Sequence, residues 1–113
     1  MAPLSLEIAI RDRAAVVALT GELDLAGATA LEQELARLEP DAFEAIVLDL
    51  RGVEFMDSSG LRAIAGATQR AQETGRRFAL VPGAAQVMRV FDITRMVERL
   101  DFVNDPTEVI GPT

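Results

Sequence analysis

The chain contains neither cysteine nor histidine, which removes disulfides, thiolate nucleophiles, imidazole metal ligands, phosphohistidine relays and every triad built on a His base. Its 11 basic residues are all Arg, so no Lys is present to form a Schiff base or to reach a nucleotide phosphate from a P-loop. Most catalytic templates fall by inventory alone. Trp and Tyr are absent, and five Phe are the whole aromatic supply, too thin for a platform on which bases or sugars stack. Positive charge is also short: 18 acidic residues against 11 basic ones leave a net charge of -7, the wrong sign for nucleic acid or anionic lipid. No stretch approaches the length of a membrane span, ~20 apolar residues. The opening Met-Ala-Pro-Leu-Ser-Leu-Glu has neither a basic region nor an apolar signal core. The expectations are a cytoplasmic chain with no nucleic-acid or membrane partner, no metal and no cofactor. What stays open is acid–base work by carboxylates or chemistry on a hydroxyl, as catalyst or as substrate.

What is present fits one domain over residues 1–113, since half the residues are apolar and 26% charged, enough to bury a core but not two. Proline occurs at Pro3, Pro40, Pro82, Pro106 and Pro112, all at boundaries between candidate elements. Leu4, Leu6, Ile8 and Ile10 alternate with Ser5, Glu7 and Ala9, and Arg11-Asp12-Arg13 turns that strand into a second one, Ala14 to Thr20. From Ala28 the spacing becomes helical (Ala28, Leu31, Leu35, Leu38), with Asp24 upstream as an N-cap. Ala45 to Leu50 is a nearly continuous apolar run, the signature of a central parallel strand. A second helical stripe runs from Leu61 to Ala71 and stops at Gly75. A strand over 77–81, a helix over about 84–91 and an edge strand over 99–103 complete the order. This is an α/β chain whose antiparallel opening hairpin is followed by crossover-linked strands.

In such sheets function gathers beyond the carboxyl ends of the strands. Two loops qualify: Thr20-Gly21-Glu22-Leu23-Asp24, and Gly52 through Leu61, which holds Asp57-Ser58-Ser59-Gly60. Asp57 or Ser58 can cap the helix that follows, and Gly60 admits the close approach of another backbone. A cap alone does not account for the pattern. Leu61 and Arg62 stand where a capping box asks for Glu or Gln after Ser58 and Ser59. An Arg in the first helical turn opposes the helix dipole, yet becomes favourable once an anion sits at the helix start. A phosphoacceptor receiver built on Asp49 or Asp57 lacks its acidic pair and its Lys. A carboxylate metal site from Glu22, Asp24, Asp49, Glu54 and Asp57 matches no spacing of a Mg²⁺ or Ca²⁺ loop.

Phe55-Met56-Asp57-Ser58-Ser59-Gly60-Leu61, the earlier Gly21-Glu22-Leu23-Asp24 and the later Val90-Phe91-Asp92 together resemble the STAS domain of bacterial anti-sigma factor antagonists, in order and over nearly the whole chain. The resemblance implies a single mixed sheet of four to five strands with interspersed helices. It implies that Ser58 is phosphorylated by an anti-sigma factor that is also a serine protein kinase. The unphosphorylated form then binds that kinase and frees a sigma factor, and a PP2C-type phosphatase resets the cycle. It puts Gly21, Glu22 and Asp24 at the partner surface beside Asp57, Ser58, Ser59 and Gly60, with Gly60 admitting the kinase loop and Arg62 available for charge pairing. The molecule is expected as a monomer or weak dimer, and not as an enzyme. The other reading within the fold is a STAS module of a transporter or phospholipid-transport complex, or a ligand sensor without a phosphorylation cycle. Such modules often lack the phosphoacceptor Ser, which this chain keeps. The family's C-terminal helix is longer than Pro106 to Thr113 allows, so the tail from about residue 104 is expected to be reduced or disordered.

Overall fold

The computed structural model describes residues 2–110. Strand β1 (Ser5–Arg11) turns at Asp12, whose φ of 54° is left-handed and which Asp tolerates better than most residues. It pairs antiparallel with β2 (Ala14–Leu23), from Arg11 opposite Ala14 to Ser5 opposite Thr20. Helix α1 (Leu25–Leu38) leads to β3 (Ala45–Met56), α2 (Ser58–Thr74) to β4 (Arg77–Val81), and α3 (Ala85–Thr94) through a 3₁₀ turn over Met96–Arg99 to β5 (Asp101–Phe102). The five strands lie in chain order, β2 to β5 parallel.

Alternation along the strands divides the core in two. Val17 and Leu19, Ile46, Leu48 and Leu50, and Phe78 and Leu80 pack with Leu31 and Leu35 of α1, Ile64 and Ala67 of α2, and Val87 and Phe91 of α3. Phe91 meets Phe102 edge to face, with centroids 5.6 Å apart. On the opposite face Val47, Ala79, Val81 and Val103 form a second cluster, joined by Val16 and by Val109 of the one-turn helix α4 (Thr107–Ile110).

Several expected boundaries move. The segment 20–24 is not a loop, because β2 runs through Leu23, and β3 continues to Met56 instead of stopping at Leu50. The ladder between them, Thr20 with Gly52, Gly21 with Val53, Glu22 with Phe55 and Leu23 with Met56, contains two register shifts, and such bulges break the alternation by which a strand is read. Helix α1 starts three residues earlier than its stripe, directly after Asp24, and α3 runs on to Thr94. The last edge strand is two residues long, because the 3₁₀ turn takes Arg99. The tail carries α4 as far as Ile110, and the expectation for 111–113 lies outside the described residues.

Candidate functional site

Because β2 and β3 are parallel and end in register, Leu23 opposite Met56, the chain leaves the sheet twice at one place. Each exit is an aspartate. Asp24 has extended backbone and its Oδ1 accepts the Gly27 N–H at 2.9 Å; Asp57 does likewise and its Oδ1 accepts the Ser59 N–H at 2.8 Å. The Asp57 N–H in turn donates to the Leu23 carbonyl at 3.4 Å. Two helix N-termini, α1 and α2, thus stand side by side, each with one orphan amide satisfied by its own cap. Of the two residues able to cap α2, it is Asp57 that does so, and Ser58 becomes the first helical residue.

That assignment frees the Ser58 hydroxyl. Ser58 is exposed and Ser59 only partly so. Gly60 is buried: a Cβ there would lie 2.7 Å from Leu23 Cγ and 2.9 Å from the Leu23 carbonyl oxygen, so the backbone that Gly60 admits is the domain's own second strand. Gly21 is buried as well, with φ 96°, and a Cβ on it would strike the Pro3 carbonyl. Glu22 is 9% exposed, and its N–H donates to the Ala2 carbonyl at 3.0 Å, which ties the start of the chain to the end of β2. Gly21, Glu22 and Gly60 therefore set the shape beneath the surface, while Asp24, Asp57, Ser58, Ser59 and Arg62 reach it.

Arg62 is the fifth residue of α2, not part of its first turn. It is exposed and has no carboxylate within ion-pair distance among the described residues. Helical side chains lean toward the N-terminus, so it overhangs the seryl end, in a shallow groove between α1 and α2 lined by Leu25, Ala28, Glu32, Ser59, Arg62 and Ala63. Two apolar residues at this end of the sheet are prominent: Leu25, 68% exposed, and Phe55, 48% exposed. Met56, beside Phe55, is in the core. Leu25 lies outside the helical stripe that begins at Ala28, so periodicity does not mark it; its place directly after a capping Asp is the signal the sequence offers.

The carboxylates weighed as a metal site do not assemble, and no group of three metal-ligating side chains occurs among the described residues. Asp49 faces the other side of the sheet, where Arg51 holds it through Nε and Nη2 at 3.0 and 2.9 Å. Burial pushes the Asp49 pKa up, but the hydrogen bonds and charge of Arg51 outweigh it and leave the carboxyl below its ordinary value. Chemically, then, the site offers a free hydroxyl at a helix start, two fixed carboxylates, one unpaired guanidinium and an apolar margin.

The family model described as the STAS domain matches residues 5–108. The anti-sigma-B factor antagonist of Staphylococcus aureus is 29% identical over 106 residues, covering 94% of this chain and 97% of that protein. The anti-sigma-F factor antagonist RsfB of Mycobacterium tuberculosis is 37% identical over 71 residues, 61% of this chain and 58% of its own length. Among solved structures, an anti-sigma factor antagonist from Mycobacterium paratuberculosis superposes with a TM-score of 0.84 at 27% identity, covering 95% of this chain and 91% of that one. The family model takes in both Asp caps, both serines and all five strands, and the chain belongs to the STAS domain family.

Proposed function

We propose that this protein is an anti-sigma factor antagonist: unphosphorylated, it binds an anti-sigma factor that is also a serine kinase and so frees a sigma factor, and phosphate on Ser58 ends the binding. A PP2C-type phosphatase restores the active form. It acts as a regulatory binding protein and a phosphorylation substrate in the cytoplasm, with Asp24, Asp57, Ser58, Ser59 and Arg62 at the contact surface and Gly21, Glu22 and Gly60 shaping it from below. The observation that carries the reading is the exposed Ser58 hydroxyl at the first position of α2, freed for transfer because Asp57 does the capping. ATP and Mg²⁺ belong to the kinase, since this chain has no Lys or Gly-rich loop to hold a nucleotide phosphate.

Incubation with the cognate kinase and MgATP is expected to add one phosphate, located on Ser58 by mass spectrometry, and Ser58→Ala to take up none. Undiminished phosphorylation of Ser58→Ala excludes Ser58 as the acceptor.

A further inference from the structure

The two edges of the sheet are unequal. β5 is two residues long, which blunts its edge, but β1 is a seven-residue edge strand paired on one side only among the described residues. Edge strands are ordinarily protected by Pro, charged side chains, a bulge or brevity. β1 has no Pro, its register with β2 is unbroken, and its two charges, Glu7 and Arg11, are opposite in sign, so they do not repel an antiparallel copy. It also exposes apolar surface: Ile8 is 38% and Ile10 61% exposed. Both lie on the helix side of the sheet, opposite Val17 and Ala15. Glu7, Ala9 and Arg11 point to the other side by alternation. Neither Glu7 nor Arg11 is in an ion pair among the described residues.

The order Glu7-Ile8-Ala9-Ile10-Arg11 is complementary to its own reverse. We infer that β1 is a self-association edge, on which a second copy of this chain pairs antiparallel about a two-fold axis at Ala9 to give one continuous ten-stranded sheet. In that register Ile8 faces the partner's Ile10 and Ile10 the partner's Ile8, closing four isoleucines into one patch, while Glu7 faces the partner's Arg11 twice over. Competing registers lose this. An axis at Ile8 sets Glu7 against Ala9 and Arg11 against Ser5, and a slip of one residue sends the isoleucines to opposite faces. Antiparallel β1 strands point the carboxyl ends of the two sheets in opposite directions, so both Ser58 sites stay accessible. The inference does not rest on the antagonist reading.

Sedimentation over a concentration series is expected to show a monomer–dimer equilibrium in the wild type. Glu7→Arg or Arg11→Glu sets like charges opposite one another in both pairs and weakens association about tenfold; combining them restores it, because residue 7 still faces residue 11. Since the chain has no cysteine, Ala9→Cys supplies one thiol per copy. At a two-fold axis the opposed Cα atoms lie about 4.5–5.5 Å apart, within disulfide reach. Oxidation is expected to yield a covalent dimer from Ala9→Cys and none from Thr74→Cys, an exposed site at the far end of α2. A protein that stays monomeric throughout overturns the inference. So does a dimer that ignores both charge reversals, or one that Ala9→Cys fails to cross-link.

Discussion

Ser58 and Gly60 sit two positions apart on α2 and face opposite ways, one to solvent and one into Leu23, so substitutions at them separate binding from folding. A phosphate on Ser58 adds about -1.5 to -2 charge at pH 7, and at a helix N-terminus such charge is favourable by about 0.3–1 kcal/mol. The modified domain should keep its fold, so under the proposed function a phosphate there would act at the docking surface. Ser58→Asp is therefore expected to melt within a few degrees of wild type yet to bind the anti-sigma factor at least tenfold more weakly, a loss of ~1.4 kcal/mol that one desolvated like-charge contact can supply. Calorimetric melting beside a binding titration checks this, and affinity lost only in step with stability would refute the surface account. Gly60→Ala should do the reverse. Its new methyl meets the Leu23 carbonyl oxygen, which is backbone and cannot swing aside, so about 1–3 kcal/mol of stability is lost, read as a fall in melting temperature of several degrees per kcal/mol. The need for a glycine at position 60 was legible in the sequence. Which backbone approaches it was not, since that depends on a strand register set more than 30 residues away in the chain.

At the scale of elements, the seryl site is an outcome of how two parallel strands end. The cap of α1 could be read from the chain, Asp24 by its place upstream of an apolar stripe, whereas for α2 the chain leaves Asp57 and Ser58 as equals and the structure selects Asp57; both helices begin directly after their caps. The strand ends could not. Gly21 and Glu22, and Gly52 to Phe55, are glycines and polar or mixed residues whose pairing is irregular, so neither alternation nor a continuous apolar run marks them. What reads as a ten-residue loop shrinks to Asp57 alone between β3 and α2. A one-residue connection holds Ser58 far more tightly than a loop could, and its geometry depends on the cap. Asp57→Ala is expected to cost about 0.5–2 kcal/mol and Asp57→Asn much less, since an Asn side chain also accepts from the Ser59 amide. Urea unfolding of the two variants distinguishes a cap from a charge effect: equal losses in both would mean that the carboxylate charge, not the hydrogen bond, matters there.

Over the whole molecule, the succession of elements was the most legible feature, an opening hairpin followed by strands linked through crossover helices; that the five strands also lie side by side in chain order is seen only in the folded sheet. The face of the sheet away from α1, α2 and α3 was less so. There a charged seam joins the central strand to the tail: Arg51 grips Asp49 and lies 3.7 Å from Asp105, while Arg77 on β4 pairs with Asp101 on β5 at 2.8 Å. In the sequence Asp49 was one carboxylate among many, since a pairing at i, i+2 on a strand face shows only once the strand is known to extend past Leu50. Asp105 is held below its ordinary pKa by hydrogen bonds from the Thr107 backbone and hydroxyl, and Asp49 by Arg51 against its own burial. A carboxyl so lowered takes up its proton less readily folded than unfolded. Its contribution to stability is therefore complete above the unfolded value, about pH 4, and is lost as pH falls through the lowered folded one. Asp49→Asn is expected to reduce the unfolding free energy at pH 7 by up to about 1 kcal/mol, and the gap from wild type should narrow as pH falls below 4 and both proteins carry an uncharged group there. Denaturant titrations at pH 7, 4 and 3 measure it, and a gap that stays constant across that range would show that Asn fails by shape and packing and that the Arg51 pairing contributes nothing.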